Sequence, residues 1–181
     1  MKHLGLNKYN DVSPWKMLQK RMTWNQLGPL RNKRILDFGS GNGITADYFA
    51  EYNEVIAVEP SAEMLQDAFK YFYYEQRIGS VEQLQSFQSG SFDVILCHNV
   101  LEYVDDRSEI LNEFYRLLKP EGIISILKHN RPGRIMQMVV LLNNFEHADQ
   151  LLDGENGTAE QFGMINYYED YQLTEWCPHL A

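Results

Sequence analysis

Arg34-Ile35-Leu36-Asp37-Phe38-Gly39-Ser40-Gly41-Asn42-Gly43 decides how this chain folds. Ile35 to Phe38 form a short apolar run broken by one acid, the pattern of a buried strand. Gly39, Gly41 and Gly43 follow at once, and behind them Ile44, Tyr48 and Phe49 share one side of a helical wheel. Strand, glycine loop and helix in that order place bare backbone at a strand end. Glycine there permits positive φ and lets a ligand approach the main chain. Asp37 sits where the strand stops, within reach of a ligand hydroxyl or ammonium group. The spacing is G-x-G-x-G, neither the G-x-G-x-x-G of dinucleotide binders nor the G-x-x-x-x-G-K of the P-loop.

Outward from this stretch, residues 54–59 form a second β-rich run that ends in a carboxylate. Glu59 lies 22 residues after Asp37, where an acid at a second strand end can take both hydroxyls of a ribose. Together, D-F-G-S-G-N-G and V-I-A-V-E-P-S resemble the class I S-adenosylmethionine-dependent methyltransferases. The later S-F-D-V-I-L-C-H-N-V-L-E-Y-V and F-Y-R-L-L-K-P-E-G resemble the fourth strand of that family and the approach to its fifth. The resemblance covers about residues 30–130.

It implies an α/β fold with an open, doubly wound, Rossmann-like parallel sheet. It also implies S-adenosylmethionine, with S-adenosylhomocysteine as product, over Gly39, Ser40, Gly41 and Gly43. The ribose would sit on Glu59, with Pro60 and Met64 nearby; Met64 reads equally as a core residue. Family members often hold the adenine amino group with an acid just after the third strand. Here Ser80 takes that place and Glu82 stands two positions on, which leaves the backbone of Val81 as a further contact. Lys16, Lys20 and Arg21, on a helix before the first strand, would face the methionine carboxylate. His98 and Asn99 fall at the C-terminal edge of the fourth strand, where open α/β sheets bind ligands.

Methyl transfer from a sulfonium asks the protein mainly to hold the acceptor in line with the S–CH₃ bond. An amine or hydroxyl acceptor must lose a proton, and His98, Glu102 or His129 is placed to take it. A carboxylate acceptor needs only orientation, from Lys128, Arg131 or Arg134. A narrower resemblance, in H-N-V-L-E-Y-V and S-I-L-K-H-N-R-P-G-R-I-M-Q-M-V-V-L-L-N-N-F, is to bacterial methyltransferases that esterify a tRNA carboxymethoxyuridine. The acceptor is thus read as a small molecule or a tRNA base. Two other classes stay open: a cofactor-binding module without catalysis, and a nucleotide-dependent Rossmann oxidoreductase.

The bulk properties agree with one domain of 181 residues, 44% of them hydrophobic. Net charge is −9, which argues against broad nucleic-acid binding. The first 34 residues nevertheless carry eight Lys or Arg and one acid, whereas the rest carries eight and 24. A basic segment therefore precedes an acidic body. Two cysteines suggest a reducing, cytoplasmic setting. No apolar run approaches the ~20 residues of a membrane span, no signal-peptide core is visible, and no histidine pair has metal-site spacing.

Along the chain, 1–33 reads as a basic helical segment, 34–130 as the cofactor-binding core, and 131–181 as its C-terminal part. Ser13-Pro14 should open a helix to residue 27 with Trp15, Leu18 and Met22 inward. A helix over 61–75 should bury Met64, Leu65, Ala68, Phe69 and Phe72. Strands are expected at 77–81, 92–97 and 122–127, with a helix over 107–118 and a turn over 119–122. A helix over 133–145, apolar nearly all round, should be buried, cover a pocket or meet a second copy in a homodimer. A polar loop over 153–158 and a helix over 169–177 follow. The expected strand order is 3-2-1-4-5. The family's usual sixth and seventh strands are expected to be missing, as in a truncated or shortened chain, which would make strand five an edge.

Overall fold

A computed structural model describes residues 6–159 and 163–180. A five-stranded parallel sheet carries the fold, in the order β3-β2-β1-β4-β5. Its strands are β1 (Arg34–Phe38), β2 (Glu54–Glu59), β3 (Glu75–Ile78), β4 (Phe92–His98) and β5 (Leu118–Leu127). The helices are α1 (Pro14–Leu27), α2 (Ile44–Ala50), α3 (Ala62–Gln66), α4 (Val81–Leu84), α5 (Arg107–Leu117), α6 (Arg131–Val140), α7 (Phe145–Leu152) and α8 (Asp170–Trp176). A small antiparallel pair, β6 (Gly157–Ala159) and β7 (Gly163–Ile165), stands apart from the main sheet.

The period-two alternation of the central strands sends side chains to two separate cores. Leu36, Phe38, Ile56, Val58, Ile95 and Cys97 join α5 on one face. Ile35, Val55, Ala57, Val94 and Leu96 join α2 and Trp24 of α1 on the other. Strands buried on both faces read as nearly continuous apolar runs, as β2 and β4 do. The five-strand order is the one expected. Among the described residues no further strand joins this sheet, and β5 lies at its edge with Ile123 half exposed.

Five expectations need correction. First, α1 has the expected span, with Ser13 capping the Lys16 N–H, but Trp15, Leu18 and Met22 face outward, at 68%, 48% and 59% exposure. Trp24 and Thr23 are buried instead. Trp24 stacks flat on Tyr48, with centroids 3.8 Å apart, and one large stacked ring outweighs the stripe.

Second, the helix after Ser61 stops at Gln66. The connection beyond it is pinned to the glycine loop, with the Phe69 N–H on the Asn42 carbonyl and the Phe72 N–H on Asp47. Third, β3 consequently starts two residues earlier than expected.

Fourth, residues 119–122 are strand rather than turn. Lys119 pairs with Asp93 at 2.8 Å, and a register shift beside Glu121, whose φ is 63°, absorbs the irregularity. Fifth, the apolar run over 133–145 is split between two helices. Asn143 takes positive φ and the Asn144 side chain caps the His147 N–H, both of which asparagine does readily. Of α6 only Met138 is buried; it packs on Ala148 and Leu151 of α7, while Met136, Val140, Leu141 and Leu142 are exposed.

Candidate active site

The glycine loop is shaped from below by β2. The N–H groups of Gly39 and Ser40 donate to the Val58 carbonyl at 2.8 and 3.2 Å. Gly39, Gly41 and Gly43 have φ of 73°, 58° and 72°, the region open to glycine at no steric cost. Gly39 and Gly43 also have no room for a side chain. A Cβ on Gly39 would lie 2.2 Å from Val100, and one on Gly43 2.1 Å from the Tyr74 hydroxyl. Gly41 differs, since a Cβ there meets nothing nearer than Met64 Sδ at 3.9 Å. The space above Gly41 belongs to a cleft.

That cleft, of about 940 Å³, opens along the C-terminal ends of β1, β2 and β4. Gly39, Ser40, Gly41, Glu59, Pro60, Met64, Ser80, His98 and Asn99, all predicted as site residues, line it. Phe38, Asn42, Ser61, Glu63, Asp67, Gly79, Val100, Tyr103 and Val104 line it too. Glu63 and Asp67 were missed because a longer helix over 61–75 hid where they face. α1 contributes Lys16 and Lys20, so a basic wall confronts an acidic one.

Glu59 is 6% exposed, and its carboxylate spans the loop. One oxygen accepts from the Gly41 N–H at 2.8 Å and the other from the Ser61 N–H at 3.0 Å. A carboxylate oxygen takes more than one donor, so both keep capacity for donors in the cleft.

Asp37 lies beneath the loop, buried, with one carboxylate oxygen lacking any hydrogen-bond partner. Burial pushes its pKa up to about 6, against the pull of the nearby Lys20. Lys20 Nζ donates to Thr45 Oγ1 at 2.9 Å, and burial pushes its pKa down while Asp37 holds it up. The Ser40 hydroxyl is also buried and unpartnered. Orphaned buried polar atoms are costly; a cation and an anion near each other, with unsatisfied groups between helix and loop, suit a zwitterionic ligand end.

Other predicted residues fall elsewhere. Gly43 packs on Tyr74, outside the cleft wall. Val81 is half buried against the core. Glu82 closes a turn, accepting from the Ser80 N–H at 2.7 Å. Arg21 points away, toward a separate small groove with Tyr9 and Met17. Glu102 is fully buried and takes the His129 N–H on one oxygen, so it braces the loop after β5 and does not face the cleft. His129 meets the cleft only through Tyr103, whose hydroxyl lies 2.9 Å from its Nε2. His98 does face the cleft, its Nε2 3.0 Å from Ser125 Oγ. Burial, assisted by Lys20, pushes its pKa down to about 3. Of the anion-holding candidates, Lys128 is engaged by Asp170 at 2.6 Å and the Tyr168 carbonyl. Arg131 lies over the Tyr167 ring and Arg134 donates to Gln137.

Among the described residues no group of three or more His, Cys, Asp or Glu is arranged to hold a metal ion, and no helix is long and apolar enough to cross a membrane. Residues 36–126 match the family model described as a methyltransferase domain. This chain belongs to the class I S-adenosylmethionine-dependent methyltransferase family.

The chain is 31% identical over 165 residues to a ubiquinone biosynthesis O-methyltransferase of Albidiferax ferrireducens, covering 87% of this chain and 63% of that one. It is 31% identical over 118 residues to a protein of the same description from Xanthomonas oryzae pv. oryzae, covering 62% and 49%. The chain thus spans about half to two-thirds of these relatives' lengths. By structure it resembles a protein from Pyrococcus horikoshii with a TM-score of 0.68 at 15% identity, covering 96% of this chain and 85% of that chain. A SAM-dependent methyltransferase from Archaeoglobus fulgidus gives 0.66 at 20%, covering 92% and 68%. These two likenesses confirm the fold. Membership of the family sets aside the nucleotide-dependent oxidoreductase. The family's cofactor is S-adenosylmethionine, and the open Gly41, the buried Glu59 carboxylate and the orphaned Asp37 and Ser40 groups fit it.

Proposed function

We propose that the chain transfers a methyl group from S-adenosylmethionine to an oxygen of a small-molecule acceptor. The observation that carries this is the cleft over Gly41, lined by the Glu59 carboxylate and by Lys20, with the buried Asp37 beneath the loop within the field of Lys20. When bound, the cofactor supplies a methyl group activated on a sulfonium. Glu59 would accept the ribose hydroxyls. Asp37, Ser40 and Lys20 would hold the ammonium and carboxylate of the methionine end. Met64 and Ser80 border the space left for the base.

The acceptor then enters between His98, Asn99, Tyr103 and Val104. His98 stays neutral throughout the physiological range, so it serves as a fixed hydrogen-bond partner for an acceptor hydroxyl and is a poor proton sink. Ser125 fixes its ring. Catalysis on this reading is positioning, the contribution that a preactivated methyl group leaves for the protein to supply, and the proton of the acceptor hydroxyl passes to solvent water in the open cleft as the neutral thioether leaves. The O-methyltransferase relatives support an oxygen acceptor on a small molecule; nothing in them supports a tRNA acceptor. The same reading takes the exposed α6–α7 surface as a contact with a second copy.

Two measurements on the purified chain test the proposal. Calorimetry should detect S-adenosylhomocysteine binding, and incubation with methyl-labelled cofactor and a panel of hydroxylated small molecules should give labelled ethers or esters. Binding without transfer to any acceptor would leave a cofactor-binding module. No binding at all would end the proposal.

A further inference from the structure

The carboxylate of Asp47 has no exposure to solvent, yet no cation pairs with it among the described residues. It accepts one hydrogen bond from the Phe72 N–H at 2.8 Å and one from the Tyr9 hydroxyl at 2.7 Å. Asp47 itself sits in the first turn of α2, its N–H on the Gly43 carbonyl. Phe72 belongs to the connection that is tied, through Phe69, to Asn42 of the glycine loop. Tyr9 belongs to the strap ahead of α1. One buried carboxylate therefore joins three pieces, α2, the connection at Phe72 and the strap at Tyr9, each of which runs directly into a segment that lines the cleft: the glycine loop, Asp67 and α1.

The strap has its other holds in the same place. The Tyr71 hydroxyl donates to the Lys8 carbonyl, the Lys8 ammonium lies 3.8 Å from the Phe72 ring centroid, and the Tyr9 ring meets Phe69 edge-on at 5.4 Å. α1, by contrast, buries only Thr23 and Trp24. Tyr9 and Trp24 share one core, their ring centroids 6.2 Å apart, with Met17 and Leu27 only partly buried against it, and from this side the helix presents Lys16 and Lys20 to the cleft.

We propose that Tyr9 is a positioning residue, whose hydrogen bond to Asp47 holds α1 against the glycine loop and so keeps Lys20 on the cofactor cleft. A truncated carboxylate bond at this depth leaves a buried acceptor unsatisfied, which favours release of the strap and rehydration of Asp47. Burial and the Asp47 carboxylate both push the Tyr9 phenol up from its ordinary value. It remains a donor over the whole physiological range, and the latch does not open with pH. The inference rests on the reading that the cleft takes the cofactor.

A double-mutant cycle on the full chain tests it, with S-adenosylhomocysteine as the probe. Tyr9→Phe keeps the ring packing and removes the bond. Lys20→Met should weaken binding about tenfold in the otherwise unchanged chain but only about twofold in the Tyr9→Phe background, because coupled groups are not additive. Tyr9→Phe alone should weaken binding about tenfold. Hydrogen exchange should quicken in α1 and stay unchanged in β1 and β4. Unchanged affinity in Tyr9→Phe, an equal cost of Lys20→Met in both backgrounds, or loss of the cooperative melt would overturn the proposal; the last would mean that the bond holds the body and not the arm. If the unaltered chain fails to bind the probe, the cofactor reading falls, and the exchange of α1 alone decides the latch.

Discussion

Glu59 and Asp37 show how two acids one strand apart divide their work. Glu59 is already drawn to the loop by two backbone N–H groups and keeps lone pairs for a ligand. Replacing it with alanine should leave a bound ribose diol unpaired, at a cost of about 1–3 kcal/mol in S-adenosylhomocysteine affinity by calorimetry. Gly41→Val should abolish binding, since the new side chain would fill the cleft floor, and should lower the melting temperature as well, since a β-branched residue is strained at a φ of 58°. Asp37 has the opposite economy. Its folded pKa, about 6, is raised above the ordinary 3.8, so the folded chain holds the proton more tightly and stability falls as pH rises between those values. His98, held at about 3 against an ordinary 6.5, works the other way, with stability falling as pH drops through that window. Asp37→Asn should therefore stabilise the ligand-free chain near pH 7 by at most about 3 kcal/mol, a value already net of the Lys20 attraction, and do nothing near pH 4. Urea unfolding at the two pH values checks this. Asn destabilising near pH 7 would show that the Lys20 attraction outweighs burial. Glu59 under a ribose, the ligand over Gly41 and Lys20 toward the cofactor were all legible in the sequence; the coupling of Lys20 to Asp37 was not, because the linear order places the two 17 residues apart.

Elements were legible where the local signal and the tertiary demand coincide. Ser13-Pro14 opens its helix as such residues do, and the apolar β2 and β4 could only be central strands. They were illegible where a long-range tie overrode a local pattern. Asn42 and Asp47 capture the chain after Gln66 and end a helix that Met64, Leu65, Ala68, Phe69 and Phe72 otherwise describe. The stripe Trp15, Leu18, Met22 has perfect helical spacing, yet a single Trp24–Tyr48 stack turns it toward solvent. This ordering has a measurable consequence. Leu18→Gln should change stability by less than about 0.5 kcal/mol, whereas Trp24→Ala should cost about 3 kcal/mol or more. Chemical denaturation of the two variants compares them directly, and a larger loss for Leu18→Gln would mean that the outer stripe is covered in solution.

At the scale of the whole molecule, the cofactor half and the C-terminal part differ in how fully they are packed. The sheet and its two cores leave the buried strands β1, β2 and β4 almost no exposed apolar surface. α6 and α7 close a small core of their own around Met138, Ala148 and Leu151, and leave Val140, Leu141, Leu142 and Phe145 exposed at 65%, 73%, 56% and 60%. A contiguous apolar patch of that kind is uncommon on a soluble monomer. Self-association through it is the expected outcome, as the proposed contact between copies requires. Light scattering should give a mass that rises with concentration, and Leu141→Ser with Leu142→Ser should return it to the 21.2 kDa of one chain. Both substitutions lie at exposed positions outside the cleft, so S-adenosylhomocysteine affinity should not change. A mass of one chain at every concentration would remove the contact between copies, while a loss of affinity in the paired variant would tie the α6–α7 surface to the cofactor site.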